Sequence, residues 1–206
     1  MNLRDEIRRR LRAERAALSA DECARRSNAI ARHVIASPLF SRARHIAVYI
    51  SCRGEVDPLP VAAAARARGK RLYLPVLDPT HPHRLWFLPW DARERLQPNR
   101  YGIPEPAAPR GRRVSPRHLD LVLTPLVGFD RHGNRLGMGG GYYDTTFSFL
   151  ASHRQWQKPR LLGMAYAFQE VDELPAEPWD VPLTAIATEN GIVRPAGRPA
   201  GRKDEG

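Results

Sequence analysis

The hydrophobic positions of the chain follow two periods, that of helices and that of buried strands. At the start of the chain, apolar residues at helical spacing fall on one face of a predicted helix: Leu3, Ile7, Leu11 and Leu18. Beside this face lies a stripe of arginines four residues apart, formed by Arg4, Arg8 and Arg12. The pattern Ser19-Ala20-Asp21-Glu22 is a capping box that predicts a second helix, and Pro38 predicts that this helix has ended. The opening stretch is therefore predicted to be two helices, with the arginine stripe facing either solvent or a ligand.

Short apolar runs follow, and they predict buried strands at residues 46–50, 71–75, 84–88, 119–125, 161–165 and 185–188. The alanine-rich segment 58–68 predicts a helix between the first two strands, with Gly69 as its C-terminal cap. A strand-helix-strand unit of this kind has a right-handed crossover. The alternation predicts an α/β fold with a mainly parallel sheet.

Two segments predict no regular structure. Pro89 to Arg117 is rich in proline, glycine and arginine, so we expect a long surface loop, which within one domain is usually functional or mobile. The sequence Arg-Pro-Ala-Gly occurs at 194–197 and again at 198–201, so residues 194–206 are predicted to be a disordered tail. The domain is then expected to span residues 1–193.

Length and composition limit the class of protein. With 206 residues, 42% of them hydrophobic, the chain is long enough for one well-buried domain and short for two. The sequence has no run near the ~18 apolar residues of a membrane span and no apolar signal-peptide core, so we expect a cytoplasmic protein without a membrane partner. Cys23 and Cys52 are too few for a disulfide framework or a metal cluster.

The net charge of +11 favours an anionic partner. Of the 33 basic residues all but three are arginines, and they are spread along the whole chain, often beside alanine or acidic residues. This distribution is more typical of a solvated surface than of a nucleic-acid interface, and the same field would steer small polyanionic substrates. The alternative is a basic nucleic-acid or nucleotide-binding module without catalysis, suggested by the charge and by the arginine-rich segment 109–117.

The strongest chemical signal is the run Arg135-Leu136-Gly137-Met138-Gly139-Gly140-Gly141-Tyr142-Tyr143-Asp144, with four glycines in five residues. Such a cluster either forms a flexible connection or lets the backbone approach a ligand closely. Because a predicted strand precedes the run and Tyr143, Phe147 and Leu150 follow at helical spacing, its N–H groups and the helix N-terminus would form an anion site. The run matches neither a Walker A loop nor a dinucleotide fingerprint. It therefore predicts a phosphate site outside both common classes.

A longer stretch around the glycines carries a resemblance. Residues 128–137, Gly-Phe-Asp-Arg-His-Gly-Asn-Arg-Leu-Gly, run into Gly139-Gly140-Gly141-Tyr142-Tyr143-Asp144. The supporting landmarks are the basic N-terminal helix, Glu55 after the first strand, Tyr101-Gly102-Ile103-Pro104-Glu105-Pro106 and Trp179-Asp180-Val181-Pro182. In this order, covering residues 3–193, the chain resembles the 5-formyltetrahydrofolate cyclo-ligase family.

The resemblance implies a single Rossmann-like α/β domain whose mainly parallel sheet is flanked by helices. It implies an ATP-dependent ligase that converts 5-formyltetrahydrofolate into 5,10-methenyltetrahydrofolate and releases ADP and phosphate. Phosphorylation of the formyl oxygen would create a leaving group that nitrogen 10 of the folate displaces. Magnesium is the implied cofactor and ATP and the folate are the implied partners, with no nucleic acid and a monomeric chain expected. A related sugar-phosphate or acyl-transfer enzyme on the same fold stays open.

For ATP, the resemblance implies contacts from the N-terminal helix and from the glycine run. The matching positions are Arg4, Asp5, Glu6, Ile7 and Arg8, then Arg135, Leu136, Gly137, Met138, Gly139, Gly140, Gly141, Tyr142 and Tyr143. Arg4 and Arg8 would pair with the phosphates, and a solvated helix face is their alternative role. Arg135, which can bind phosphate through two hydrogen bonds, and Tyr142 are the implied catalytic residues.

For the folate, the matching positions are Ile50, Glu55 and the segment from Met138 to Tyr142. Glu55 would accept hydrogen bonds from pterin N–H groups, and its alternative is an ordinary solvated loop glutamate. Asp144 matches a magnesium ligand, and its alternative is a helix cap. A second acidic magnesium position of some family members is Thr184 here, so that ligand stays unassigned, with Asp180 as a candidate substitute.

Overall fold

The structure is a computed structural model that describes residues 2–107, 112–152 and 158–195. Within them the helices are α1 (Leu3–Ala16), α2 (Ala20–Ala36), α3 (Pro38–Arg42), α4 (Leu59–Ala67) and α5 (Tyr142–Ser152). The strands are β1 (His45–Ala47), β2 (Arg71–Leu77), β3 (Leu85–Pro89), β4 (Leu96–Pro98), β5 (Pro104–Pro106), β6 (Leu121–Pro125), β7 (Gly128–Phe129), β8 (Arg135–Leu136), β9 (Arg160–Met164), β10 (Ala185–Thr188) and β11 (Gly191–Val193). Short 3-10 helices lie at Pro116–His118 and Ala167–Gln169.

A seven-stranded sheet in the order β11-β10-β9-β6-β1-β2-β3 forms the centre of the described fold. Strands β10, β9, β6, β1 and β2 run parallel, while the edge strands β3 and β11 are antiparallel to their neighbours. This confirms the predicted α/β fold with a mainly parallel sheet. The chain passes from β1 to β2 on one side and later places β6 on the other side of β1. Ligands bind at the carboxyl ends of strands beside such a reversal, so the loops after β1 and β6 are the expected site.

Neighbouring residues of one strand face opposite apolar layers. Ile46 and Leu162 pack in the layer covered by α2, α3 and α4, whereas Ala47 and Leu161 pack in the other layer with Phe147 of α5. All five side chains are buried. Because helices cover both faces, these strands are continuous apolar runs, which is why the sequence predicted them.

Several helices begin or end at the capping and helix-terminating residues that the sequence predicts. The Ser19 side chain caps α2 by accepting a hydrogen bond of 3.2 Å from the N–H of Glu22. Helix α2 ends at Ala36, ahead of Pro38, and Gly69 follows the end of α4 with a φ of +67°. Strand β10 has the predicted bounds, whereas β1 stops at Ala47, three residues earlier than predicted.

The segment from Pro89 to Arg117 is not one long loop, and this prediction was wrong. Strand β3 extends to Pro89, β4 and β5 pair antiparallel as a hairpin, and Val114 bridges to Phe87. Proline concealed the hairpin in the sequence, because a two-stranded ribbon tolerates residues without an N–H at its unpaired edges. Residues 108–111, which include part of the arginine-rich segment, lie outside the described residues.

The predicted tail lies largely outside the described residues, which end at Pro195. Pro195 itself packs close to Gly133, where an added Cβ would come 2.8 Å from the proline Cγ. In the described part of the chain, no helix is both long enough and apolar enough to cross a bilayer.

Candidate active site

A cavity of about 920 Å³ lies beside the carboxyl ends of β1 and β6, and we call it the carboxyl-edge cavity. Helix α1 forms much of its wall, and Gly54 after β1 and Met138 and Gly139 after β8 complete it. The arginines in its lining are Arg8, Arg9, Arg12, Arg15 and Arg53. A concave surface with this much positive charge is suited to an anionic ligand.

The glycine loop, residues 137–141, has a backbone that suits a phosphate. Gly139 and Gly141 have φ values of +98° and +65°, in the left-handed region that favours glycine. A Cβ on Gly140 would lie 2.8 Å from the ring of Tyr142, so a larger residue would displace that ring. Helix α5 begins directly after the loop and adds its N-terminal N–H groups and dipole. The predicted strand, loop and helix are therefore present in this order.

Arg8 connects α1 to the glycine loop. Its Nε donates a hydrogen bond of 3.0 Å to the carbonyl of Gly137, and its Nη1 lies 2.5 Å from Asp5 Oδ1. Among the helix positions predicted to bind ATP, Asp5 and Arg8 line the cavity, whereas Glu6 is exposed and Ile7 is half-buried. The structure thus brings one predicted phosphate partner directly to the predicted phosphate loop.

Arg4, unlike Arg8, forms its contacts with the segment that contains Pro175 and Asp180. Its Nη1 donates to the carbonyl of Pro175 at 3.0 Å and forms an ion pair of 2.9 Å with Asp180. Asp180 also accepts a hydrogen bond from the N–H of Glu177. Asp180, the candidate substitute for the second magnesium ligand, is therefore already paired with a cation, and the contact of Arg4 with ATP stays a prediction.

Arg135 and Asp144 form a second ion pair, at the base of the glycine loop. Arg135 is buried, donates to the carbonyl of Val181 and places Nη2 2.6 Å from Asp144 Oδ1. The N–H of Val181 also donates to Asp144 Oδ1, at 3.0 Å. The pair therefore joins β8, α5 and the segment around Val181. Thr184 lies three residues further on and accepts a bond from the N–H of Leu161.

Asp144 fits a magnesium ion as a single carboxylate ligand. The hydrogen bonds from Arg135 and Val181 both go to its Oδ1, and its side chain is 24% exposed. Among the described residues, no group of three or more His, Cys, Asp or Glu side chains converges as a metal site. Magnesium often takes only one or two protein carboxylates, with substrate phosphates and water as the remaining ligands.

Glu55 is presented by a tight turn after β1. The N–H of Glu55 donates to the carbonyl of Cys52 at 3.0 Å, and the central residues Arg53 and Gly54 have φ values of +50° and +76°. Positive φ at a non-glycine residue is strained and is enriched at functional sites. The Glu55 carboxylate accepts a hydrogen bond of 3.2 Å from the N–H of Cys52. Burial raises the pKa of Glu55. The pKa of Cys52 is raised to about 11, mainly by burial and to a smaller extent by the charge of Glu55.

The remaining predicted positions surround this turn and the loop. Ile50 is half-buried against the layer of α2 and α4. Burial, and next the charge of Glu55, raise the pKa of Tyr143, so the carboxylate and this phenol are neighbours. Leu136 is buried beneath the loop in the β7–β8 pair. The folate positions and the glycine loop therefore meet in one region.

The β4–β5 hairpin reaches Tyr142, which the sequence did not predict. The Tyr142 hydroxyl lies 2.5 Å from Arg100 Nη2 and 2.8 Å from the Tyr101 hydroxyl. His83, from the β2–β3 connection, places Nδ1 2.7 Å from the carbonyl of Gly140. The segment 101–106 was recognisable in the sequence only as a landmark of the family.

Arg12, which belongs to the arginine stripe predicted to face either solvent or a ligand, lines the cavity, whereas sequence reasoning missed Arg9, Arg15 and Arg53. A signal for Arg15 was present, because Arg8, Arg12 and Arg15 recur at the spacing of one helix face. Arg53 had no such signal, since its place depends on the turn after β1.

The described fold and cavity define a Rossmann-like α/β domain with a glycine loop beside the switch point of its sheet. The family model described as the 5-formyltetrahydrofolate cyclo-ligase family matches residues 1–189. The chain belongs to this family of enzymes, which confirms the resemblance found in the sequence.

Individual relatives agree with this membership. A Haemophilus influenzae protein named 5-formyltetrahydrofolate cyclo-ligase is 37% identical over 185 residues, which are 89% of this chain and 96% of the relative. An Escherichia coli protein of the same name is 36% identical over 88% of this chain and 98% of the relative. The NMR structure of Aquifex aeolicus 5,10-methenyltetrahydrofolate synthetase is similar with a TM-score of 0.78 and 30% identity, covering 99% of both chains.

Proposed function

We propose that this chain catalyses the ATP-dependent cyclisation of 5-formyltetrahydrofolate to 5,10-methenyltetrahydrofolate, with release of ADP and phosphate. The observation that carries the proposal is the convergence of the glycine loop, Arg8 and the Glu55 turn on one cavity. The names of the relatives support the substrate and the product, since two are named for 5-formyltetrahydrofolate and the similar structure for 5,10-methenyltetrahydrofolate.

The reaction needs the formyl oxygen to become a leaving group. Attack of this oxygen on the γ-phosphorus of ATP forms an oxygen–phosphorus bond and releases ADP. Nitrogen 10 then attacks the formyl carbon and loses its proton, and the carbon–oxygen bond breaks as phosphate departs. In such phosphoryl transfers the protein mainly positions the reactants and neutralises charge.

The glycine loop and α1 would carry the ATP side of the site. Backbone N–H groups of the loop and of the first turn of α5 would donate to phosphate oxygens, because the loop carries no side chain at Gly139 and Gly141 and the helix dipole favours an anion there. Arg8 holds the loop through Gly137 and adds positive charge beside it. Charge in this position stabilises the transferring phosphoryl group.

Glu55 would carry the folate side. A carboxylate accepts hydrogen bonds from two adjacent pterin N–H groups only while it is ionised. Because burial raises the pKa of Glu55, folate binding should weaken as the pH falls through that raised value. Ile50 and the loop from Met138 to Tyr142 would supply the surrounding contacts.

Magnesium would be held by Asp144 together with ATP phosphates and water, and it would neutralise phosphate charge during transfer. Arg135 orients Asp144 through their ion pair, so we assign it to the ATP side. Tyr142, fixed by Arg100 and Tyr101, would position the reactants between the two sides. Chelation should stop turnover, and Asp144→Asn should raise the magnesium concentration needed for half-maximal rate.

The proposal is tested by mixing purified protein, magnesium, ATP and 5-formyltetrahydrofolate. We expect methenyltetrahydrofolate absorbance to appear with one ADP and one phosphate released per product. No absorbance change with folded protein would contradict the proposal. Salt-sensitive binding to random duplex DNA without turnover would instead favour a nucleic-acid-binding module. Light scattering would test the expected monomer.

A further inference from the structure

Arg15 is a buried cation in the lining of the carboxyl-edge cavity. It is 2% exposed, and its Nη1 donates a long hydrogen bond of 3.3 Å to the carbonyl of Leu126. Its Nε is also buried and finds no hydrogen-bond partner among the described residues. A buried donor without a hydrogen-bond partner destabilises the folded protein, and more so when the group is charged. The fold alone therefore gives little reason to bury this guanidinium.

Arg15 lies directly against the turn that presents Glu55. A Cβ placed on Gly54 would come 3.5 Å from Arg15 Cγ and 4.0 Å from its Nε. Gly54 is the residue before Glu55, so any movement of the Arg15 side chain reaches the carboxylate through one peptide unit. The buried Arg15 side chain thus packs against the turn at Gly54.

The charged and titratable groups around Glu55 come from three places. Arg15 faces it from α1, Tyr143 from α5, and Tyr49, Cys52 and Arg53 from the segment of Glu55 itself. Only Arg15 and Arg53 among them are cationic, and Arg53 is exposed to solvent. A buried cation acts more strongly on a buried carboxylate than an exposed one, because water screens the latter.

We infer that Arg15 is a positioning residue for folate: its guanidinium holds the Glu55 turn and keeps the Glu55 carboxylate ionised as an acceptor for the pterin. This inference rests on the proposed function. It gives a role to a buried cation whose Nε has no hydrogen-bond partner among the described residues, since its charge serves the neighbouring carboxylate rather than the fold. The direction of the pKa effect agrees, because burial raises the pKa of Glu55 while the hydrogen bond from the Cys52 N–H, and next Arg15, oppose this rise.

The test is a double-mutant cycle with Arg15→Met, Glu55→Gln and the two combined, read as folate KM between about pH 6 and about pH 8.5. Arg15→Met should raise folate KM by roughly tenfold at the acid end of this range, as expected if the pKa of Glu55 rises by about one unit. At the alkaline end the folate KM of the variant should approach that of the wild type, because Glu55 is then ionised in both. ATP KM should not change. In the Glu55→Gln background, Arg15→Met should add less than about twofold, because its target is gone.

Arg10→Met is the matched control on the same helix, since Arg10 is exposed and forms a 3.5 Å ion pair with Glu14. Arg15→Lys keeps the charge and should keep the acid limb close to that of the wild type, even if Arg15→Met were unstable. Equal effects of Arg15→Met in both backgrounds, or an unmoved acid limb, would overturn the inference. Carbon NMR titration of the Glu55 carboxylate tests the inference without turnover, because the pKa of Glu55 should be higher in Arg15→Met than in the wild type. An inactive wild type would count against the proposed function alone.

Discussion

Two cavities lined by arginine lie at opposite edges of the parallel sheet. The carboxyl-edge cavity contains Arg15 and the glycine loop, while a cavity of about 730 Å³ lies before β1 and β2 and is lined by Arg42, Arg44, Arg68 and Arg71 with Lys70 and His45. We call the second the amino-edge cavity. Similar charge surrounds both, so charge alone does not separate them.

What differs is whether the fold itself satisfies the cations. At the amino edge, Lys70 Nζ bonds to the carbonyls of Ser41 and Ala43 at 3.0 and 2.6 Å, beside the end of α3, and Arg68 lies 5.2 Å from the centre of the Phe40 ring. Cations near helix C-terminal ends are stabilised by the exposed carbonyls. At the carboxyl edge, Arg15 Nε finds no partner within the described residues and Arg53 is strained. Between these two cavities, the unmet hydrogen bond of Arg15 and the strain at Arg53 therefore mark a difference that net charge does not.

The largest loss of activity is expected from a substitution at the base of the glycine loop, in the carboxyl-edge cavity. Arg135→Ala should lower kcat/KM for ATP by at least ~100-fold and destabilise the protein by about 3 kcal/mol, because it leaves Asp144 without its buried cation. Steady-state kinetics and urea unfolding measure the two effects. Arg25→Ala, which removes an exposed pair with Glu22, is the control and should change neither. A change in folate KM alone would contradict the assignment of Arg135 to the ATP side.

A smaller effect is expected on the folate side of the same cavity. Glu55→Ala should raise folate KM by about 10- to 100-fold with little change in ATP KM, since it removes the acceptor of the pterin N–H groups. Initial rates over a folate series at saturating ATP measure this. Glu14→Gln on the exposed face of α1 serves as a charge-matched control. An unaltered folate KM in Glu55→Ala would show that this residue has another role.

The raised pKa of Glu55 also makes a prediction about stability. A carboxyl group whose pKa is higher in the folded than in the unfolded state contributes most stability at low pH and loses it as the pH rises through the folded value. Glu55→Gln cannot ionise, so at neutral pH its Tm should exceed that of the wild type. The difference should shrink toward about pH 4, and calorimetry at several pH values measures it. A lower Tm at neutral pH would mean that the ionised carboxylate stabilises the fold.

The smallest effects should come from the amino-edge cavity. Arg44→Ala and Arg71→Ala should each change kcat/KM by less than about twofold, because surface cations away from the site contribute little. The same assay used for Arg135→Ala provides the comparison. If either variant lost activity as the carboxyl-edge variants do, the distinction between the two cavities would fail.

Features that depend on neighbouring residues could be predicted from the sequence. The buried strands, the Ser19 cap, the Gly69 end of α4 and the start of α5 after the glycines each follow from a few adjacent residues. The convergence of Arg8 with the glycine loop needed more, namely the resemblance to a family. That resemblance assigned both to ATP, whereas the direct contact between Arg8 and Gly137, 129 positions apart, became visible only in the structure.

Contacts made across the chain could not be predicted in the same way. Nothing near Arg4 in the sequence indicates that Asp180 is its partner, and nothing in the sequence indicates that Arg135 pairs with Asp144. The hairpin that holds Tyr142 was hidden by its prolines. These contacts depend on which surfaces the completed sheet brings together.

The position of α1 has a consequence for biosynthesis. This helix is synthesised well before the residues to which its side chains bond: Arg15 bonds to Leu126, Arg8 to Gly137 and Arg4 to Asp180. Contacts of such long sequence separation form late, after much of the chain has been synthesised. A nascent chain that stops before residue 175 lacks both acceptors of Arg4. Ligand binding should therefore be among the last properties that the growing chain acquires.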